Sequence, residues 1–146
     1  MDKINVLIAD DHTVFRQGMR KMLESEEDMA VVGEAATGRE ALQQARRLLP
    51  DVILMDIKMP EMDGIEATRV LHPELPAIGV IFCTMFPDEG LIRAGLQAGG
   101  RGYLLKDGDT ETMLQAIRAV AQGEVSFSPA VAVKAVRYSA NQGDMC

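Results

Sequence analysis

The sequence predicts an α/β fold: a doubly wound, five-stranded parallel sheet with helices on both faces. Three observations point to it. Short apolar runs alternate with amphipathic stretches five times along the chain. Those runs are continuous rather than alternating, as strands are when both faces of their sheet are covered. The chain has 146 residues, 47% of them apolar, which is enough for one substantial hydrophobic core.

The elements follow in order. "INVLIA" (4–9) reads as the first strand. "TVFRQGMRKMLES" places Phe15, Gly18/Met19 and Met22/Leu23 on one helical face. "MAVVGEA" (29–35) is the second strand. "GREALQQARRLL" repeats the helical period through Leu42, Ala45 and Leu48/Leu49, and Pro50 stops it. "DVILMD" (51–56) is the third strand, with a short helix near 64–71 after it. "IGVIFCT" (78–84) is the fourth, and a helix near 88–98 carries Leu91/Ile92, Gly95 and Ala98. "GYLLK" (102–106) is the fifth. "DTETMLQAIRAVAQG" (109–123) is the fifth helix, with Thr110 as N-cap and Gly123 near its end.

Regular βα alternation implies a parallel sheet, and right-handed crossovers restrict its topology. The flavodoxin-like order 2-1-3-4-5 makes strands 1 and 3 neighbours at the switch point, where ligands bind beyond the carboxyl ends. Residues 124–146 fall outside the repeat. They read as a linker or C-terminal extension to a domain spanning 1–123. "SPAVAVKAVRYS" suggests a short helix over 129–138, capped by Ser128 with Pro129 at its first position.

Composition narrows the function. The net charge of −7 opposes contact with nucleic-acid phosphates, so the chain is not expected to bind DNA by itself. Cys83 and Cys146 have no metal-type spacing, which suits a reducing cytoplasm. Acids interrupt the N-terminal apolar run too early for a secretory signal. No stretch has the length of a membrane span. His12 and His72 are isolated in sequence, with no His/Cys cluster of the metal type. Aromatics are few and Trp is absent, so the ten Met read mainly as core filler.

The candidate site lies at the strand ends. Asp10 and Asp11 end strand 1, and Asp56 ends strand 3. If the strands are adjacent, three carboxylates converge and raise one another's pKa. A hard divalent cation relieves that repulsion, and oxygen ligands suit Mg²⁺. Thr84 at the end of strand 4 offers a hydroxyl, and Lys106 at the end of strand 5 an ammonium; both suit a phosphate. Each has a plainer reading alone: Asp10-Asp11 as a helix cap, Asp56 as a strand-end acid, Thr84 as a turn residue, Lys106 as a solvated charge. Their convergence on one sheet edge favours the site.

These motifs carry a resemblance. "IADDH", "LMDIKMPEMDG", "CT" and "GYLLKD" stand in the order and spacing of a bacterial two-component response regulator receiver domain, which residues 3 to about 123 resemble. "ADDHTVFRQGMR", "VVGEAATGREAL" and "AGGRGYLLKD" are similar to the NarL/FixJ (LuxR-type) subgroup. The resemblance implies the CheY-like version of the fold. It implies that Asp56 accepts a phosphoryl group from a sensor histidine kinase, with Mg²⁺ held by Asp11, Asp56 and the main-chain carbonyl of Lys58, and by Asp10 mostly through water. Lys106 would pair with a phosphoryl oxygen, and Thr84 would turn toward the phosphate. Tyr103 would rotate into the vacated space; the alternative is a static strand aromatic. Pro60 shapes the loop or is a plain turn former. The resemblance implies that Lys58 and Phe86 lie where members tune phosphate loss, and Met85 is large for its place; Met85 and Phe86 are expected to tune the site by partly screening it from water. His12 reads as a subgroup signature or surface residue, not a metal ligand.

The resemblance further implies a cytoplasmic signalling domain that catalyses only its own phosphorylation and dephosphorylation. A homodimer on phosphorylation is expected in some members. DNA would be reached only through an effector domain, and no helix-turn-helix is expected here. Two other readings are a phosphorylation-independent interaction module and a natural single-domain receiver. A dehalogenase-like phosphatase is disfavoured because its second Asp would stand where Lys58 is. A dinucleotide enzyme is disfavoured because no G-x-G-x-x-G follows the first strand.

Overall fold

The computed structural model describes residues 2–85, 88–127 and 131. Six parallel strands form one sheet in the order β2-β1-β3-β4-β5-β6. The strands are β1 (Ile4–Ala9), β2 (Met29–Ala35), β3 (Val52–Asp56), β4 (Gly79–Thr84), β5 (Gly102–Leu105) and β6 (Ser126–Phe127). The helices are α1 (Thr13–Glu24), α2 (Gly38–Leu48), α3 (Gly64–Glu74), α4 (Glu89–Ala98) and α5 (Thr110–Ala121). The expected order holds for the first five strands, and β6 extends it by one.

Strand alternation distributes two cores. Leu7, Ile53, Met55, Val80 and Phe82 pack on one face with Ala41, Leu42, Ile65, Leu71 and Ile92 of α2, α3 and α4. Val6, Ile8, Leu54, Ile81 and Cys83 pack on the other with Met19, Leu23, Leu114 and Ile117 of α1 and α5. Period-2 side chains with both faces covered explain the unbroken apolar runs. Met19, Met29, Met55, Met59 and Met113 are buried, as filler should be, while Met85 is 51% exposed.

Helix ends are set by local chemistry. Thr37 accepts from the Glu40 N–H at 3.0 Å, and Glu40 accepts from the Ala36 N–H at 2.8 Å, a reciprocal cap that starts α2. Leu49, at φ 48°, ends α2 just before Pro50. Helix α3 runs three residues beyond the expected 71, with Pro73 inside its last turn. The cap of α5 is Asp109, which accepts from the Thr112 N–H at 2.7 Å; the expected cap, Thr110, is instead the first helical residue. A carboxylate at this position also complements the helix dipole.

Beyond α5 the chain returns to the sheet. Gly123 takes φ 91°, and Ser126 and Phe127 pair with Gly102 and Tyr103 of β5. Val131 is buried in the cluster that holds Phe82 and Tyr103. Apart from Val131, the helix expected over 129–138 lies outside the described residues, as do Phe86 and Cys146.

Candidate functional site

Strand register brings the acids together. Strands β1 and β3 are neighbours with Ala9 opposite Met55, so the next residues, Asp10 and Asp56, emerge side by side at the carboxyl edge. The Asp10 N–H donates to the Ala35 carbonyl at 2.9 Å, fixing its backbone against β2. Asp56 ends β3 and pairs with Cys83 of β4. Asp10 is 1% exposed and Asp56 6%; Asp11 stays partly open to solvent.

The loop after Asp56 is shaped by alternation. Ile57 and Met59 are buried and Lys58 between them is exposed. Asp63 caps α3 by accepting from the Glu66 N–H at 2.8 Å. The Gly64 N–H donates back to the Ile57 carbonyl at 2.8 Å. A Cβ on Gly64 would collide with the Asp56 carbonyl oxygen, so glycine is what lets α3 start directly beneath the acid.

Lys106 reaches the acids from the turn after β5. Its backbone N–H donates to the Thr84 carbonyl at 2.7 Å, locking the ends of β4 and β5 together. Its Nζ lies 2.6 Å from Asp10 Oδ2 and 3.3 Å from Asp56 Oδ2. Asp10 Oδ2 accepts no well-aligned hydrogen bond among the described residues, so the short contact acts as an ion pair. The ammonium also stands 4.6 Å from the Phe15 ring centroid, a cation–π contact.

Burial is the main reason the Asp56 carboxyl is raised to about 6; the Asp10 charge adds to it, Asp11 adds less, and Lys106 opposes. Burial alone would lower Lys106, but Asp10 and Asp56 outweigh it and hold the ammonium above its ordinary value. The arrangement is a crowded anionic pocket only partly neutralised by one cation. Cys83, behind Asp56, is an inert thiol: burial pushes it up to about 12.

Of the residues singled out from sequence, the structure gathers Asp10, Asp11, Asp56 and Lys106 into one pocket. Thr84 stands at the adjoining strand end. Tyr103 is elsewhere: it is fully buried on the α2–α4 face with its ring centroid 6.0 Å from that of Phe82. Its hydroxyl finds no hydrogen-bond partner among the described residues, and burial raises its pKa.

Two neighbours escaped the sequence reading. Phe15 was read only as a core position. His12 reads from sequence as a subgroup signature or surface residue, not a metal ligand, and its side chain is 68% exposed. Yet its Nδ1 lies 3.0 Å from Asp10 Oδ1, 3.3 Å from Asp11 Oδ1 and 3.9 Å from Asp56 Oδ2. Asp10, Asp11, His12 and Asp56 each offer a ligand atom, all within 4.8 Å of one another. The only signal in sequence was adjacency to the acid pair. The three carboxylates, crowded and only partly neutralised by Lys106, fit a divalent cation.

Comparison with known proteins agrees with this geometry. The response regulator receiver domain family matches residues 6–118. The chain is 42% identical over 135 residues to a transcriptional regulatory protein of Bacillus subtilis, YxjL, covering 92% of this chain and 62% of that one. It is 41% identical over 131 residues to the response regulator VraR of Staphylococcus aureus, covering 90% and 63%. The chain thus spans about three-fifths of the length of these curated relatives. A LuxR-family response regulator structure from Aurantimonas superposes with TM-score 0.88 at 32% identity, covering 95% of this chain and 99% of that one. The receiver domain of a NarL regulator from Mycobacterium tuberculosis gives 0.81 at 34% identity, covering 85% and 100%. The acid pocket at the switch point, the strand order and these matches lead to one conclusion: the chain belongs to the response regulator receiver domain family.

Proposed function

We propose that this receiver domain is a phosphoacceptor whose nucleophile is Asp56. The observation that carries the reading is the pairing of Lys106 with both Asp10 and Asp56 at the switch-point edge. An Asp56 oxygen attacks the phosphorus of a kinase phosphohistidine. The P–O bond forms, the P–N bond breaks, and the imidazole leaves with the electron pair. Burial keeps the Asp56 carboxylate poorly solvated and basic, which favours attack. Such transfers have loose transition states, so positioning and charge neutralisation supply most of the acceleration.

Asp11, Asp56 and the Lys58 carbonyl would hold Mg²⁺, with Asp10 acting through water; the ion supplies charge neutralisation for the phosphoryl oxygens. Lys106 is positioned to exchange a carboxylate partner for a phosphoryl oxygen. Thr84 would donate its hydroxyl to the same group. Tyr103 holds a buried hydroxyl without a hydrogen-bond partner among the described residues, an arrangement that costs free energy and favours a switch between two packings. Met85, and Phe86 beside it, would limit water access to the acyl phosphate.

By this reading the domain catalyses only its own phosphorylation and dephosphorylation, in the cytoplasm. Among the described residues no helix is long and apolar enough to cross a membrane. Its input is a sensor histidine kinase, its output a DNA-binding effector, and a homodimer forms on phosphorylation. The body of the domain is residues 1–123 together with the β6 return at Ser126–Phe127 and the buried Val131, the rest of 124–146 leading toward the output.

Intact-mass measurement after incubation with Mg²⁺ and a small phosphodonor tests this. One added phosphoryl group, absent in Asp56→Asn, is expected. No adduct with any donor would favour a phosphorylation-independent interaction module.

A further inference from the structure

The carboxylates of the pocket are not its only donors. Nδ1 of His12 faces all three of them, at 3.0, 3.3 and 3.9 Å from one oxygen each of Asp10, Asp11 and Asp56. Ligands about 2.0–2.2 Å from a shared metal ion stand about 2.8–3.6 Å apart along the edges of an octahedron or tetrahedron. The two shorter spacings fall in that range, and the third needs only a small side-chain adjustment. The ring is mostly solvent-exposed, and the hydrogen bond to Asp10 holds its Nδ1 at the site. Without an ion Nδ1–H donates to Asp10 Oδ1 at 3.0 Å; with an ion bound, the tautomer protonated at Nε2 presents the Nδ1 lone pair to it instead.

We infer that the pocket is a mixed nitrogen–oxygen site, in which His12 adds a ligand for borderline divalent transition ions such as Co²⁺, Ni²⁺ or Zn²⁺. The inference rests on the reading of the three acids as a cation site. Mg²⁺ is hard and binds oxygen, so His12 contributes nothing to it. Imidazole suits the later transition ions, whose affinity for nitrogen sites rises along the first row. One pocket therefore takes two classes of cation. Hard ions bind through oxygen alone. Borderline ions recruit His12 as well and compete with Mg²⁺ for Asp11 and Asp56.

Calorimetric titration of Mg²⁺ and of Co²⁺ into the full chain, with the visible spectrum of bound Co²⁺, separates the possibilities. Wild type, His12→Ala, His12→Gln and Asp11→Asn are compared. Both His12 variants are expected to weaken Co²⁺ by about tenfold or more, alter its spectrum, and leave Mg²⁺ affinity unchanged. Asp11→Asn should weaken both ions. Equal Co²⁺ affinity and spectrum in wild type and His12→Ala overturn the inference. So does a parallel loss of Mg²⁺ affinity, because His12 would then act through packing or charge. If wild type binds neither ion, or Asp11→Asn leaves both unchanged, the underlying cation site itself fails.

Discussion

Lys106 sits closer to Asp10 than to Asp56: its Nζ is 2.6 Å from one carboxylate and 3.3 Å from the other. The lysine is thus held mainly by the neighbour of the nucleophile. A group arriving on Asp56 meets a cation that is already in place and not fully committed to Asp56.

Removing that cation should be costly. Lys106→Met leaves two buried acids facing each other without a counter-charge. Breaking a buried pair costs about 3–5 kcal/mol in general. Here the low end, about 3 kcal/mol, is expected, because a carboxyl can take up a proton instead. Urea denaturation at neutral pH checks this. Wild-type stability in the variant would mean that the pair is energetically idle.

Asp56 works against stability when ionised. Its folded-state value of about 6 stands above the ordinary carboxyl value of 3.8, so the folded state binds the proton more tightly. Its contribution is therefore most favourable below about 4, falls as pH rises through 6, and is flat above. The roughly two-unit shift sets a ceiling of about 3 kcal/mol. In metal-free buffer Asp56→Asn should raise stability at pH 7 by about 1–3 kcal/mol and remove that slope. Melting curves of both proteins from pH 4.5 to about 7.5 read it directly. A destabilised Asn variant would contradict the assignment.

Mg²⁺ should undo the same repulsion. A ligand at 100 times its Kd stabilises by about 2.7 kcal/mol, so saturating Mg²⁺ is expected to lift the Tm of wild type clearly. Asp56→Asn should respond far less. A wild-type Tm indifferent to Mg²⁺ would count against the three-acid pocket.

The turn after Asp56 makes its own demand. Gly64→Ala drives a methyl group into the Asp56 carbonyl oxygen, and overpacking of this kind costs about 1–3 kcal/mol. Asp63→Ala removes only a helix cap, about 1 kcal/mol. Both should lower the urea midpoint, but only Gly64→Ala should also slow phosphoryl acceptance beyond its effect on stability. Equal rates in the two variants would show that the loop yields without moving Asp56.

Met85 follows Thr84 at the end of β4 and is half exposed. If it limits water access, Met85→Ala shortens the phosphoryl half-life several-fold. A half-life equal to wild type, followed by intact mass over time, would retire that role.

Much of the fold was legible because burial on both faces writes itself into composition. The runs 4–9 and 51–56 read as covered strands, while 29–35 lies at the sheet edge and is only partly buried; the acids that end the first and third strands had to meet once those strands were adjacent. Strand β6 was not legible. Ser126 and Phe127 have no strand pattern of their own and become one because β5 offers an open edge. The cap of α5 is Asp109 rather than the expected Thr110, since both are good caps and only backbone geometry chooses between them.

The sequence by itself determined the layering, the strand order and the identity of the convergent acids, because apolar period and strand-end position are local and additive. Tertiary structure decided which groups share the pocket and how. It placed Lys106 on Asp10 more closely than on Asp56 and sent Tyr103 to the opposite core. It also turned an apparently unremarkable surface residue, His12, toward three carboxylates. Those outcomes depend on side-chain rotation in the field of residues up to a hundred positions away, which no local pattern encodes.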